Sequence, residues 1–189
     1  MSRRTSIPLP LLAATALIAA LGAATFTWGS RPAPAIVLPR SARDSMTGVF
    51  RTYNRNWDQL ADLNTMEKML GTIRPTQREY LGCLIGQVDG GTVYVERWVP
   101  ARGMKQLQLA VGGSCDSIPG VVGTWHTHPY RADLNNLPVK EPALSAQDLE
   151  TFAKSRWAAA LVMWDEDSLD AAARGSDGEP SHPVPVRIE

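Results

Sequence analysis

The chain has no excess of charge of either sign, and this absence narrows its possible partners. Its 189 residues carry 19 Lys and Arg against 19 Asp and Glu. Nucleic-acid-binding domains usually cluster Lys and Arg on one face. The balance therefore argues against a nucleic-acid partner. The chain also lacks an internal repeat, and its length suits one packed domain better than two.

Cysteine is equally scarce, with Cys83 and Cys115 as its two representatives. Two cysteines are compatible with one disulfide in an oxidising compartment, but their number alone does not establish a bond. Cys83 lies in an apolar run, where it could equally be a small buried hydrophobic residue. Both interpretations stay open at the level of sequence.

The N-terminal segment is long, apolar and preceded by basic residues. Arg3 and Arg4 come before a run from 9 to 28 that contains no charged residue and ends in small residues. This is the layout of a secretory signal peptide, and its length of about 20 residues also suffices for a spanning helix. We therefore predict that residues 1–28 are a signal peptide or an N-terminal membrane anchor. Arg3 and Arg4 favour an orientation that places the domain outside the cytoplasm, in the periplasm or the extracellular space.

The residues after this segment suggest a linker and then a helical start to the domain. Residues 29–45 are rich in proline and mixed in charge, which is typical of a linker, so the domain is expected to cover 46–189. Within 57–73 the apolar residues recur at three- and four-residue steps, which predicts an amphipathic helix that ends before Pro75.

The middle of the chain alternates β-rich runs with turn-forming residues. The runs 80–88 and 92–99 flank an Asp-Gly-Gly turn at 89–91, which predicts a hairpin. The other predicted elements are strands at 107–111, 121–126 and 158–164, a loop at 130–144, a helix at 145–156, a loop with a short helix at 165–174, and a loose or edge-strand tail at 175–189.

Histidine is limited to three residues, two of which stand two positions apart at the end of a predicted strand. His126 and His128 would face the same side of that strand and present both imidazoles to one point. Imidazole suits zinc, but two ligands do not hold an ion on their own, and surface or hydrogen-bonded histidines explain the pair as well. The third, His182, lies in the proline-rich tail, where exposure is expected rather than metal binding.

A third ligand is available at the start of the predicted helix 145–156. Ser145 and Asp148 are three residues apart and therefore share a face of that helix. The Asp148 carboxylate would complete a His2Asp set with a fourth position open to water, as in catalytic zinc sites. The same Ser-x-x-Asp pattern is typical of a capping box, in which both residues satisfy backbone donors.

Two other architectures with a His-x-His motif fit less well. Amidohydrolase barrels usually need a longer chain. A cupin-like site would need a glutamate a few residues after the second histidine, and the sequence has none there.

Taken together, the segments His126-Thr127-His128-Pro129 and Ser145-Ala146-Gln147-Asp148 resemble the signature of the JAMM (MPN+) zinc metalloprotease family, prokaryotic type. That signature is His-x-His-Pro followed by Ser-x-x-Asp. The family also places a catalytic glutamate ahead of an apolar, glycine-bearing strand, and residues 78–86 are similar to that segment. Glu79 is the matching glutamate and Glu96, in the next strand, is the weaker candidate. The resemblance covers about 58–164.

The resemblance implies an α/β fold, namely an MPN (cytidine-deaminase-like) sandwich with a mixed curved β-sheet flanked by helices. It implies one Zn²⁺ held by His126, His128 and Asp148. Glu79 would then act as general base and Ser145 as a donor to the oxyanion, in the hydrolysis of a peptide or isopeptide bond.

The same resemblance bears on substrate and on the alternative to catalysis. Family members are best known for removing ubiquitin or ubiquitin-like proteins, a substrate that suits an exported domain poorly. The expected partner is therefore a peptide or protein, with a ubiquitin-like conjugate as one option. The alternative is a catalytically silent MPN-like scaffold, although such scaffolds typically lack one or more ligands and this chain lacks none.

The segment 130–144 is longer than the usual family spacing between the two motifs and is interpreted as an insertion. It carries Arg131, Asp133, Lys140 and Glu141. A polar loop of this kind beside a site is typical of a mobile lid or a selectivity loop.

Overall fold

The computed structural model describes residues 33–53, 78–107, 110–133 and 138–189. These residues form two helices and twelve strands, most of which belong to one eight-stranded sheet. In chain order the elements are β1 (Ala35–Leu38), α1 (Arg40–Tyr53), β2 (Leu81–Asp89), β3 (Thr92–Pro100), β4 (Arg102–Gln106), β5 (Val111–Ser114), β6 (Val121–Thr127), β7 (Arg131–Ala132), β8 (Pro138–Val139), α2 (Ala146–Lys154), β9 (Ala159–Asp165), β10 (Ser168–Arg174), β11 (Pro180–Ser181) and β12 (Val186–Ile188).

The large sheet is mixed, with the strand order β11-β10-β9-β6-β2-β3-β1-β12. Strand β6 pairs parallel with β9 and antiparallel with β2, while β1 pairs parallel with both β3 and β12. The edge strand β12 also contacts β10, close to the opposite edge, so the sheet curls towards itself. The predicted α/β class with a mixed, curved sheet is confirmed at this level of detail.

The main core lies between α1 and one face of this sheet. Ala42, Met46 and Phe50 recur every four residues on α1, and all three are buried. They pack with Trp125 of β6 and with apolar residues of β1 and β9. Burying one Met or Phe side chain contributes about 1.5–3 kcal/mol. The helix is therefore held by its apolar stripe.

The linker predicted for 29–45 is wrong from residue 35 onward. All four residues of β1 are buried, and the strand pairs on both sides within the sheet. Pro39 lies between β1 and the start of α1, so it separates two elements. Proline-rich composition therefore marked the ends of a strand instead of an unstructured spacer.

Most predicted strands and the second helix are confirmed. The hairpin is formed by β2 and β3, and its turn residues Gly90 and Gly91 have φ values of 55° and 85°, which glycine adopts without strain. The predictions for 121–126, 145–156 and 158–164 correspond to β6, α2 and β9.

Two predicted elements are wrong. The first is the predicted strand at 107–111. Residues 107 and 110 lie in the connection between β4 and β5, and Leu107 is exposed, so the apolar residues there belong to the tip of a hairpin. The second is the predicted loop with a short helix at 165–174. Residues 168–174 instead form β10, where Ala171, Ala172 and Ala173 are buried and pair with β9. Burial and cross-strand pairing outweigh the helix propensity of alanine.

Two further predictions fall outside the described residues, namely the helix at 57–73 and the N-terminal segment 1–28. Within the part of the chain that the structure describes, no helix combines the length and apolar character needed to cross a membrane.

The two cysteines form a disulfide. Cys83 lies on β2 and Cys115 directly follows β5, with 5.7 Å between their Cα atoms. The bond thus attaches the small β4–β5 sheet to the main sheet.

Candidate metal centre

Both histidines of the first motif project from the end of β6 on the same side. Between them, Thr127 is fully buried, its backbone N–H donates to Tyr80 O at 3.1 Å, and its hydroxyl oxygen accepts from Tyr80 N–H at 3.0 Å. The backbone N–H of His128 donates to Met163 O of β9 at 2.9 Å. Because neighbours on both sides hold the chain extended, His126 and His128 share a face, as the sequence predicts.

The third member of the cluster comes from the first turn of α2. The Nε2 atoms of His126 and His128 are 3.0 Å apart. Asp148 Oδ1 lies 3.4 Å from His126 Nε2, and Asp148 Oδ2 lies 3.4 Å from His128 Nε2. These three side chains form a group that could hold a metal ion.

The spacing of these donor atoms suits zinc. A tetrahedral Zn²⁺ with bonds of about 2.0–2.1 Å keeps neighbouring donors about 3.3 Å apart. The three observed separations lie close to that value, and two imidazoles with one carboxylate match a zinc donor set that leaves the fourth position open. The residues present therefore fit the ion.

Ser145 and Asp148 form a capping box at the start of α2. Asp148 Oδ2 accepts from the Ser145 backbone N–H at 2.8 Å and from the Ser145 hydroxyl at 2.6 Å. The Asp148 N–H in turn donates to Ser145 Oγ at 3.2 Å. The Ser-x-x-Asp motif therefore caps the helix and also contributes to the cluster with the histidines, because the carboxylate that caps the helix faces the two imidazoles.

The charges of the cluster are strongly coupled. Burial would raise the pKa of the Asp148 carboxyl, but the imidazoles of His126 and His128 and the Ser145 hydroxyl outweigh it and hold that pKa well below its usual range. Burial would lower the pKa of His128, but Asp148 and Glu79 reverse this and raise it. The site thus attracts positive charge, as a cation site requires.

A backbone contact from the segment 130–144 orients one of the imidazoles. His128 Nδ1 lies 3.4 Å from the carbonyl oxygen of Glu141. A proton on Nδ1 that points to this oxygen leaves the lone pair of Nε2 free for a metal. The sequence singled out Glu141 as a polar loop residue, but it contained no signal for this backbone role.

Glu79 lies two residues before the start of β2 and lines the same cavity as the cluster. It is buried, and its carbonyl oxygen accepts from Gln106 Nε2 at 2.9 Å while its N–H donates to Leu107 O at 3.2 Å. The cavity has a volume of about 580 Å³, and Glu79, His126, His128, Ser145 and Asp148 all line it. The structure therefore brings the five predicted site residues together.

Burial raises the pKa of the Glu79 carboxyl, while the nearby His126 and His128 act in the opposite direction. A carboxyl shifted in this way is better able to take up and return a proton near neutral pH. Glu96, the weaker candidate, is exposed on β3 and is not among the residues that line this cavity.

The described ends of the 130–144 segment are tied to the sheet. The Tyr130 hydroxyl and Lys140 Nζ both donate to the Asp165 carboxylate at the end of β9, and Arg131 pairs with Glu141. Strands β7 and β8 pair with each other within the segment. These contacts hold the described residues of the segment in place next to the cluster.

Asp170 of β10 supports the site from behind, which the sequence did not indicate. Its Oδ2 accepts from the backbone N–H of Leu144 at 2.8 Å and lies 2.6 Å from His182 Nε2. Leu144 directly precedes the cap residue Ser145, so Asp170 holds the entry to α2. His182 pairs with this carboxylate and lies outside the metal cluster.

No model of a known protein family matches the chain, and a search of curated proteins found no significant relative. These comparisons therefore identify no family for the chain. The structure itself shows that residues from the end of β6, from α2 and from just before β2 converge in one cavity.

Proposed function

We propose that this protein is a zinc-dependent metallopeptidase of the JAMM (MPN+) type, which hydrolyses a peptide or isopeptide bond in a peptide or protein substrate. The observation that carries the proposal is the cluster of His126, His128 and Asp148, with donor separations of 3.0–3.4 Å, in one cavity with a buried glutamate. The mixed, curled sheet with α2 beside the end of β6 supports an MPN-type fold.

One Zn²⁺ held by these three residues would supply Lewis acidity, which makes a water molecule a nucleophile near neutral pH. Glu79 would accept the proton of that water and then deliver it to the leaving amine. Burial of Glu79 favours both steps, because its raised pKa reduces the cost of carrying the proton between them.

Ser145 would donate a hydrogen bond to the oxygen of the scissile carbonyl as negative charge develops on it. Its single hydroxyl proton is directed to Asp148 Oδ2 in this structure. The proposed role therefore requires the hydroxyl to turn from Asp148 to the substrate. The Ser145 backbone N–H can keep its bond to the same carboxylate during that turn.

We also propose that the domain acts outside the cytoplasm, either exported or membrane-anchored through residues 1–28. The disulfide between Cys83 and Cys115 supports this location, since such bonds persist mainly in oxidising compartments. The balanced charge of the chain supports a peptide or protein partner over nucleic acid.

Metal analysis of the purified protein tests the proposal. We expect one zinc per chain in the wild type, loss of zinc in His126→Ala and Asp148→Ala, and retention in the control Asp167→Ala, whose side chain is 93% exposed. A folded wild-type protein that takes up no zinc on reconstitution would contradict the proposal.

Activity separates the enzyme from the scaffold alternative. The zinc-loaded protein is expected to cleave members of a fluorogenic peptide library or an isopeptide-linked substrate, and a chelator should stop the cleavage. Full zinc occupancy without cleavage of any of these bonds would favour the MPN-like scaffold.

A further inference from the structure

The cavity extends beyond the metal cluster along β6. Thr124 and His126 point to the same side of this strand, one two-residue step or about 6.6 Å apart. In the sheet Thr124 lies opposite Ala160 of β9, and both residues line the cavity. The floor of the cavity next to His126 is therefore made of small side chains.

Apolar groups form much of the walls of this part of the cavity, while uncharged polar residues of α2 and its C-terminal end, namely Gln147, Thr151 and Ser155, also line the cavity. Leu81 of β2 and Val111 of β5 line one side, and Phe152 of α2 lines the other. Trp157 also lines the cavity, where it packs against the cluster around the disulfide. Gly113 of β5 also lines the cavity, and a Cβ at that position would lie 3.3 Å from Leu81 Cδ2, so the absence of its side chain leaves space beside Leu81. We call the part lined by these residues, Thr124 and Ala160 the apolar pocket.

Charged groups of the cavity lie elsewhere. The charged residues that line the cavity lie around the metal cluster. Glu141 contacts His128 and pairs with Arg131. Glu79 is close enough to His126 and His128 for their charges to affect its pKa. None of the described residues that line the apolar pocket is charged. Arg156 stacks on the Trp157 ring at 4.7 Å, but it lines a separate, neighbouring cavity. A charged side chain in the apolar pocket would lose hydration without gaining a partner.

We propose that the apolar pocket is a specificity subsite, which binds a large apolar side chain of the substrate residue next to the scissile bond. This inference rests on the proposed peptidase function. A scissile carbonyl bound beside His126 places the next residue of the substrate about one two-residue strand step from Thr124. A Leu, Met or Phe side chain on that residue is long enough to reach the apolar pocket. Because the apolar pocket and the metal cluster lie in one cavity, a substrate whose apolar side chain fills the pocket has its scissile bond beside the cluster.

A peptide library that varies the two residues flanking the scissile bond tests the subsite in the zinc-loaded full chain. At one flanking position we expect Leu, Met or Phe to be preferred over Gly by about 10- to 200-fold in kcat/KM. Thr124→Leu and Val111→Trp fill the pocket from its floor and from its wall. Each should reduce the Leu-to-Gly preference at least about tenfold, a fall typical of losing a hydrophobic pocket.

The control variant is Gly48→Leu, on the exposed side of α1, where a Cβ meets open space outside the cavity. It should keep the wild-type preference. Two variants on different elements guard against loss of fold in one of them, and zinc content monitors the cluster in both.

A binding measurement gives a second readout that does not need cleavage. The indole N–H resonance of Trp157, assigned by its loss in Trp157→Phe, should shift when a Leu peptide is added to zinc-loaded Glu79→Gln and should not shift with the matched Gly peptide.

Failures of the two proposals are distinguishable. Cleavage without an apolar preference, or with a preference that both pocket variants retain, would overturn the subsite and leave the peptidase standing. Absence of all cleavage would overturn the peptidase. In that case an unmoved Trp157 resonance would overturn the subsite as well, whereas a shift with the Leu peptide alone would support it.

Discussion

The Ser145 hydroxyl lies 2.6 Å from Oδ2 of Asp148, the same oxygen atom that lies 3.4 Å from Nε2 of His128. One carboxylate therefore joins the cap of α2 to the proposed metal site. Helix capping is a local interaction between residues three apart. It orients Asp148 before any metal is bound, which lowers the entropy cost of assembling the site.

Replacement of Ser145 by alanine should affect the cap and the chemistry together. Loss of an N-cap side chain typically costs about 1 kcal/mol of stability. Loss of a contact that orients a ligand lowers metal affinity about 10- to 100-fold, and loss of an oxyanion donor lowers kcat about 10²- to 10³-fold. Zinc titration, kinetics and urea unfolding of Ser145→Ala measure the three effects.

Ser117→Ala is the control for this prediction, because the Ser117 hydroxyl accepts a hydrogen bond from Arg102 but is exposed and does not line the cavity. A Ser145→Ala protein that keeps the wild-type kcat at saturating zinc would restrict Ser145 to its capping role.

Glu79→Gln should separate metal binding from catalysis. The amide keeps the shape of the side chain but cannot accept a proton as the carboxylate does, so zinc should stay bound while hydrolysis is abolished. Glu96→Gln on β3 should keep full activity, because Glu96 is exposed and outside the cavity. Activity in Glu79→Gln equal to that of the wild type would place the base elsewhere.

Glu79→Gln should also change how stability depends on pH when a chelator has removed the metal. Burial raises the folded-state pKa of Glu79, so ionisation of this carboxyl disfavours the folded state. The penalty is absent below the unfolded-state pKa and grows as pH rises through the folded-state pKa. Chelated Glu79→Gln should therefore be at least as stable as chelated wild type at pH 7, and the difference should vanish near pH 4. A clear loss of stability at pH 7 would show that the ionised carboxylate stabilises the fold.

Asp170→Ala should weaken zinc binding from a distance. The change removes the acceptor for the Leu144 N–H, and an unpaired buried donor costs about 1–3 kcal/mol. Because Leu144 precedes Ser145, the start of α2 should shift and lower zinc affinity about 10- to 100-fold. Asp167→Ala, at the preceding turn, is the control. Unchanged zinc affinity in a destabilised Asp170→Ala protein would limit Asp170 to folding.

Reduction of the disulfide should lower stability without releasing the metal. Cys83 and Cys115 are 32 residues apart, and closing a loop of that size stabilises a fold by about 3–4 kcal/mol in the chain-entropy model. Neither cysteine belongs to the metal cluster. Thermal unfolding with and without reductant measures the effect, and the double variant Cys83→Ala/Cys115→Ala, which has no other cysteine, should not respond to reductant. Zinc loss on reduction would instead link the disulfide to the site.

Elements set by short-range patterns could be predicted from the sequence. The Asp-Gly-Gly turn of the β2–β3 hairpin requires positive φ values, which glycine adopts, and the two-residue step from His126 to His128 puts both rings on one face of a strand. The Ser-x-x-Asp pattern likewise predicted the start of α2 and its possible cap. Each of these features depends on neighbours within a few positions.

Elements set by distant partners could not be predicted in this way. Residues 35–38 form a strand because β3 and β12 pair with them, and Ala171 to Ala173 form a strand because β9 pairs with them and the cores on the two faces of the sheet bury them. The contact of Asp170 with Leu144 joins positions 26 residues apart. No local pattern encodes these contacts.

The sequence by itself determined the types of donor in the site and their local spacing, because strand and helix periodicity decide which neighbouring side chains share a face. Only the tertiary structure decided that the start of α2 lies beside the end of β6, that Glu79 is buried in the same cavity, and that an apolar pocket continues from His126. Those relationships depend on strand register and on burial of the shared core, which are long-range properties of the whole fold.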